Sequence, residues 1–238
     1  MQTTLAQFNE TQSTDAFALQ NSKLLKIALN QVTVQAKLGS MVAYQGDVTF
    51  EHAGSGGRGR MLKKAVTGEG TQLMKITGTG EVFVADQAQD IHLIYLENDN
   101  ITVNGPNLLA FDEGIDWDIQ RLQGGTAGAM AGGLFNMELS GTGWVAILSD
   151  GPPVLLNVAQ APTFADAQAA ITWSSGVSVG LKTDLKIKNL VGRGSGESIQ
   201  LAFSGQGWAL VQPSEGRVAQ ATTANSPAGG GLGSLLNG

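Results

Sequence analysis

The chain contains no cysteine, and that absence removes several kinds of chemistry. Disulfides, thiolate metal sites and a cysteine nucleophile are all excluded. Aromatic residues make up 6% and charged residues 14% of the 238 residues, while glycine occurs 33 times. Few charges and many glycines are typical of a turn-rich sheet protein, because glycine adopts the positive φ that tight turns need. A chain of this length can bury a sizeable core as a single all-β domain.

Long hydrophobic runs are also missing. No apolar stretch approaches the roughly 18 residues that a bilayer span requires. The first five residues lack the basic and apolar regions of a signal peptide. We therefore expect a cytoplasmic protein that reaches membranes only indirectly, if at all. The formal net charge of −6 makes nucleic acid an unlikely partner, because such binding normally uses a basic surface.

One short pattern occurs three times: a β-like run, Thr/Ser-Gly-x-Gly, and a second β-like run. The first glycines of the three copies are Gly78, Gly141 and Gly205, which lie 63 and 64 residues apart. A period this regular indicates a repeat architecture. Each copy is predicted to be a turn between two strands.

The repeat divides residues 17–213 into three units, 17–86, 90–150 and 153–213. Residues 1–16 form an N-terminal arm, and the composition of the Gly/Ser/Ala-rich tail 214–238 predicts disorder. Each unit alone would expose an apolar sheet face, so the three must pack on one another. The predicted fold class is all-β, with three pseudo-symmetric repeats of roughly 64 residues in a single domain.

Alternation of apolar and polar residues assigns the buried faces. Leu25, Ile27 and Leu29 alternate with Lys26 and Ala28, which predicts one buried strand face. Residues before the repeated turn should point the same way in each copy: Met74/Ile76, Met137/Leu139 and Leu201/Phe203.

Local patterns predict three further breaks in the strands. Gly46-Asp47 has the composition of a hairpin turn, and Asn98–Asn100 that of a turn. In the third unit only residues 165–170 have a helical pattern, over a very short stretch.

Glycine-rich segments precede the repeated turns, at 54–59, 124–133 and 192–196. They indicate either close packing of three backbones or three flexible excursions. The first segment matches G-x-G-x-x-G, but the βαβ context of a dinucleotide site is missing, so we expect no cofactor.

Several segments follow one another in an order that is typical of a known family. They are Gly39–Tyr44, Leu62–Lys64 followed by Gly68–Gly70, and Gly132–Phe135 before Ser140–Gly143. In these segments the chain resembles the altered-inheritance-of-mitochondria twenty-four family, over residues 17–213. The resemblance implies a fold like that of the tryptophan RNA-binding attenuator superfamily, with three repeats of double-stranded β-helix type and frequent oligomerisation. Bacterial members are mostly uncharacterised, mitochondrial members are linked to inner-membrane organisation, and the family supplies no catalytic residue to carry over.

The chain departs from that family pattern in two places. Residues 160–170 of the third repeat are rich in alanine, and the tail is rich in glycine.

One dense basic run has no acid within it, and consists of Arg58, Arg60, Lys63 and Lys64. It could hold a phosphate, an RNA backbone or an anionic lipid headgroup. The alternative is a solvated loop, because a run of charged residues usually lies on solvent-exposed surface.

The acidic counterpart lies in the second repeat. In a strand, Asp116 and Asp118 share one face, while Ile115, Trp117 and Ile119 share the other. An amphipathic strand accounts for this pattern. A divalent-ion site would need more oxygen ligands from elsewhere, so we expect no metal.

Three lysines of the third repeat, Lys182, Lys186 and Lys188, show the same alternation. An acidic face in one repeat and a basic face in another is what a head-to-tail assembly can use. These residues are candidate interface positions.

His52 and His92 are the two histidines of the chain, 40 residues apart and without metal-ligand spacing. A hydrolytic triad would need one of them beside a serine and an acid, and no G-x-S-x-G elbow is present.

Trp144 and Trp208 follow the repeated turns, where Glu81 stands in the first repeat. They are candidates for interface contacts or stacking, although aromatics in strands commonly serve packing.

These observations favour a non-enzymatic interaction or scaffold protein that acts as a homo-oligomer and binds a further, unknown protein partner. The alternative is a binder of nucleic acid or an anionic ligand through the basic loop 58–64. A third hypothesis is an unusual enzyme that uses the acidic segment 112–118.

Overall fold

The computed structural model of the protein describes residues 3–52, 72–121, 135–182 and 200–214. These residues contain two short 3-10 helices, Leu5–Phe8 and Gly105–Asn107, and fourteen strands. The strands are β1 (Phe17–Asn21), β2 (Leu24–Lys37), β3 (Met41–His52), β4 (Leu73–Val84), β5 (Asp90–Asn104), β6 (Leu108–Asp112), β7 (Ile115–Arg121), β8 (Phe135–Ser149), β9 (Val154–Asn157), β10 (Thr163–Asp166), β11 (Ala170–Ser174), β12 (Val177–Lys182), β13 (Gln200–Gly205) and β14 (Trp208–Val211). The predicted all-β class is confirmed.

Eleven of the strands form one large antiparallel sheet. Its order is β3-β4-β2-β6-β8-β5-β11-β14-β9, with β1 added on β2 and β7 added on β8. The other three strands form a separate antiparallel sheet in the order β10-β13-β12. Strands β3 and β9 therefore end the larger sheet, and β10 and β12 are the edges of the smaller one.

The strands that carry the Gly-x-Gly pattern lie between two neighbours. β4 pairs with β2 on one side and β3 on the other, and β8 lies between β5 and the pair β6 and β7. In the last part of the chain β13 lies between β10 and β12, and β14 between β9 and β11. Each strand that carries the Gly-x-Gly pattern is thus an internal strand of its sheet.

Two short strand pairings join these groups of strands. Residues 34–36 of β2 pair with residues 110–112 of β6, and residues 101–103 of β5 pair with residues 172–174 of β11. We call these pairings the first and second junction.

The predicted buried face of β2 is confirmed, since Leu25, Ile27 and Leu29 are all buried. The six residues expected to point inward before the Gly-x-Gly pattern are also all buried: Met74, Ile76, Met137, Leu139, Leu201 and Phe203. Burying one such side chain contributes roughly 1.5–3 kcal/mol before the entropy cost of ordering it.

The predicted turn at Gly-x-Gly is wrong in the first two copies. Gly78 and Gly80 lie inside the continuous strand β4, and Gly141 and Gly143 lie inside β8. Only in the third copy does the strand stop, with β13 ending at Gly205. β2 and β3 pair with β4 on both sides through its glycines, and β5 pairs with β8 through Gly141 and Gly143, so the chain bends there without reversing.

The other predicted breaks are also wrong. Gly46 lies inside β3 with a φ of +97°, opposite Gly80 of β4. Asn98 lies inside β5 with a φ of +54°, at a register shift between Glu97 and Asp99, so it is a β-bulge. The segment 165–170 is the end of β10, a turn and the start of β11, because β13 offers hydrogen-bonding partners that a one-turn helix lacks.

Candidate functional site

The three Gly-x-Gly bends share one geometry. All six glycines have positive φ, between +114° and +151°. A Cβ at Gly78, Gly141 or Gly205 would approach the carbonyl oxygen of Asp47, Gly114 or Gly176, respectively, more closely than the 3.0 Å that real Cβ atoms keep. The neighbouring backbone thus crosses each bend where only glycine fits.

A polar side chain closes the bend in the second and third copies. The Trp144 N–H donates to Asp112 Oδ2 at 2.7 Å, and the Trp208 N–H donates to Ser174 Oγ at 3.1 Å. Asp112 is half-buried, and this burial raises the pKa of its carboxyl, while the bond from Trp144 acts in the opposite direction. Perturbed carboxyls often mark functional sites, but this one has a structural partner.

Trp144 and Trp208, predicted as interface or stacking residues, are both partly buried. Trp144 packs edge-on against Tyr95, with ring centroids 5.0 Å apart. Trp208 lines an open groove of about 460 Å³ together with Leu155, Asn157 and Gln206. Packing contacts account for the buried part of both rings, and the open groove leaves part of the Trp208 ring accessible to solvent.

The acidic strand has the alternation that its sequence predicts. Ile115 and Trp117 of β7 are buried, and Asp116 is exposed. Asp118 is half-exposed, and its Oδ1 accepts the Ile119 N–H at 2.8 Å. Within the ranges that the structure describes, no three His, Cys, Asp or Glu side chains lie close enough together to hold a metal ion.

Of the three candidate lysines, Lys182 is described and lies on β12 of the smaller sheet, whereas Asp116 and Asp118 lie in the larger sheet. The Lys182 Nζ stands 4.4 Å from the centroid of the Phe164 ring, a cation–π contact. Lys186 and Lys188 lie outside the described residues.

The basic run also lies outside the described residues, and its members are Arg58, Arg60, Lys63 and Lys64. The same holds for all three glycine-rich segments and for residues 215–238 of the tail.

Sequence reasoning missed the neighbours of His92. Its Nε2 lies 2.8 Å from the Ser149 hydroxyl oxygen, and Asp90 pairs opposite Ser149 in the ladder. Burial lowers the pKa of His92, and the nearby Asp90 only partly offsets this. The three residue types are those of a hydrolytic triad, but Ser149 is fully buried and donates its proton to the Gly151 carbonyl at 2.7 Å. The Ser149 hydroxyl is therefore a structural group with no access to a substrate.

The N-terminal arm is tied to the sheet by a buried cation. Lys26 lies on β2, where alternation suggested a solvent-facing position, yet its side chain is buried. Its Nζ lies 2.6 Å from Glu81 and 3.6 Å from Glu10, and donates to the Thr11 carbonyl at 3.1 Å. The hydrogen bond between Lys26 and Glu81 raises the pKa of Lys26 and lowers that of Glu81. In the first repeat, Glu81 thus anchors the arm from the position that Trp144 and Trp208 hold in the others.

Residues 17–214 match the family model described as Mitochondrial biogenesis AIM24. The chain belongs to this family. The AIM24 match begins with the first residue of β1 and extends past the end of β14, so it spans all fourteen strands. The resemblance predicted from the sequence is confirmed.

A solved structure similar to this AIM24 chain is the crystal structure of a protein from Streptococcus pyogenes. The two are 21% identical, the TM-score is 0.66, and the alignment covers 82% of this chain and 91% of the other. At that identity the likeness shows a shared fold. No curated protein matches the sequence of the chain.

This AIM24 chain carries exposed apolar side chains on strand edges that have no partner strand among the described residues. On β3 these are Met41, Val42 and Tyr44, of which Val42 is 60% exposed. On β9 they are Val154 and Leu155, and on β10 the residue is Phe164. Within the part of the chain that the structure describes, no helix is both long and apolar enough to cross a membrane.

Proposed function

We propose that this AIM24 chain is a non-enzymatic interaction or scaffold module that acts as a homo-oligomer. The observation that supports this proposal most is the outer edge of β3. It ends the eleven-stranded sheet, no strand of the described residues pairs with it, and it presents Met41, Val42 and Tyr44 to solvent. Free backbone groups beside apolar side chains are a template for pairing with another strand.

We further propose that the module consists of three pseudo-symmetric units, with the attenuator-like, double-stranded β-helix architecture that the family resemblance implies. The support is the repeated contact at the bends, where the first glycine of each meets the carbonyl of Asp47, Gly114 or Gly176. Those three carbonyls are followed by Val48, Ile115 and Val177, of which Val48 lies inside β3 and the other two begin β7 and β12.

The non-enzymatic part of the proposal is supported by the partners of the perturbed groups. The Asp112 carboxyl caps a backbone bend, and His92 contacts a serine that has no exposed surface. Burial accounts for the direction of the pKa shift of both Asp112 and His92, and each side chain has a structural contact.

The other sequence-based expectations stay predictions. They are a further protein partner, a cytoplasmic location, no cofactor, and only indirect approach to membranes. The alternative of anionic-ligand binding through 58–64 also stays a prediction. Salt-dependent binding that is lost on neutralising Arg58, Arg60, Lys63 and Lys64 would favour it.

The proposal is tested by multi-angle light scattering on the wild-type chain and two variants. Val42→Lys places a charge on the β3 edge, and we expect it to lower the assembled mass. Val32→Lys is the matched control, because Val32 is 45% exposed but lies within β2, which is paired with β4 there. A wild-type protein that is monomeric at micromolar concentration would contradict the proposal, as would equal loss of assembly in both variants.

A further inference from the structure

The two junctions between strand groups have the same register. In the first, Gln35 lies opposite Phe111, and in the second, Thr102 lies opposite Trp173. Phe111 and Trp173 pair on their other side with Val145 and Ala209, each four residues after the first glycine of a bend. Both aromatic rings are buried.

Tyr44 occupies the same position in the first part of the chain. It pairs with Val82, which is four residues after Gly78. Tyr44 is nevertheless 50% exposed, because no strand in the described ranges pairs with the outer side of β3. The β3 edge thus has the register position of the Phe111 and Trp173 strands, without the neighbouring strand that both of those have in the described ranges.

A strand that matches this edge can be located by the same rule. Gln35 and Thr102 pair with Lys75 and Glu138, each three residues before the first glycine of a bend. The corresponding residue before Gly205 is Ala202, and its partner is Phe164 of β10. Phe164 is 48% exposed, and its strand is an edge of the smaller sheet.

We infer that β10 of one copy pairs antiparallel with the first half of β3 of a second copy. The register of the two internal junctions places Phe164 opposite Tyr44 and Ala165 opposite Ala43. The strand that pairs with the β3 edge comes from a second copy, because β3 and β10 of one chain belong to different sheets and do not pair with each other. Lys182 lies on β12, the opposite edge of the smaller sheet, and its Nζ reaches across β13 to within 4.4 Å of the Phe164 ring centroid. This inference rests on the proposed homo-oligomer and names its contact.

Such a contact joins two different surfaces of the same chain. It is heterologous, so it produces a ring if the rotation between copies closes and a filament if it does not. Cross-strand aromatic pairs such as Phe164 with Tyr44 are among the favourable pairs of antiparallel sheets.

The absence of cysteine permits a direct cross-linking test. Ala43→Cys and Ala165→Cys chains, carrying tags of different length, are mixed under reducing conditions and then oxidised. Opposed residues of an antiparallel pair lie roughly 4.5–5.5 Å apart at Cα, which suits a disulfide. Thr163→Cys replaces Ala165→Cys as the register control, since residues two positions out of register lie roughly 7–8 Å apart.

We expect the Ala43→Cys and Ala165→Cys chains to form a mixed disulfide dimer about tenfold faster than the control pair, because disulfides require close Cα atoms. Circular dichroism of each variant checks that its fold is retained. If the wild-type chain is oligomeric but the mixed dimer forms no faster than the control, the inference is wrong and the proposed oligomer stands. If a chain carrying both cysteines closes on itself while the mixture does not react, the junction is intramolecular and the inference is overturned. A monomeric wild-type chain would overturn the proposed function as well.

Discussion

Replacing Gly78 by alanine should destabilise the fold far more than an ordinary glycine-to-alanine change in a strand. Gly78 has a φ of +142°, and the new methyl would meet the Asp47 carbonyl of β3. Backbone strain at such a φ costs about 1–3 kcal/mol. The carbonyl must also retreat by about 1 Å to reach van der Waals distance, which weakens one or two ladder hydrogen bonds of about 1 kcal/mol each. The expected total loss is about 2–5 kcal/mol.

Two other glycines separate these contributions. Gly39 has a φ of +84° but no atom within 4 Å of its Cβ position, so its alanine variant should lose about 1–2 kcal/mol from strain alone. Gly180 lies in β12 with open space and no left-handed φ, so its alanine variant should gain about 0.5–1 kcal/mol.

The measurement is thermal and urea unfolding by circular dichroism, at one protein concentration for all variants. A loss of about 2–5 kcal/mol corresponds to a drop in Tm of roughly 4–20 °C for a chain of this size. A Gly78→Ala variant as stable as Gly180→Ala would refute the account of the bends. A loss equal to that of Gly39→Ala would refute the close backbone approach.

Three further predictions concern titrating groups. The pKa of Glu81 is lowered by Lys26, so the stability that Glu81 contributes is present above its unfolded pKa and is lost as pH falls through its folded pKa. The free energy of unfolding should therefore vary less between pH 6 and 3 in Glu81→Gln than in wild type. The pKa of His92 is lowered by burial, so wild type should lose stability as pH falls from 7 to 5, and His92→Gln should not. The pKa of Asp112 is raised by burial, so the contribution of this carboxyl to stability falls as pH rises through its folded pKa. Asp112→Asn should therefore gain stability relative to wild type from pH 3 to 7. Asp112→Ala should instead lose about 1–3 kcal/mol at pH 3, because it leaves the Trp144 N–H unpaired. Each is contradicted if the variant and wild type have parallel pH profiles.

The sequence was informative where the pattern is local. Alternation identified the buried face of β2 and the outward position of Asp116, because a two-residue period follows directly from strand geometry. The spacing of the Gly-x-Gly copies located the bends correctly. It did not distinguish a bend from a turn, since glycine permits both and the choice depends on whether β3 and β2 continue to pair with β4.

Features that depend on distant partners were not predictable from the chain alone. Lys26 is buried because Glu10 and Glu81 cover it from elsewhere in the sequence. His92 meets Ser149 across 57 residues through the β5–β8 ladder. Among the described strands β3 has no neighbour on its outer side, which depends on the order of all the strands in the sheet and not on the sequence of β3.

The central claim is that the chain acts as an oligomer joined at open sheet edges. Native mass spectrometry of the wild-type protein, purified gently from its own host at micromolar concentration, tests it most directly. The account predicts species at whole multiples of the 24.6 kDa subunit, two or more, with no retained small molecule. A spectrum of the 24.6 kDa monomer alone, or one in which every subunit retains a nucleotide, lipid or metal ion, would contradict it.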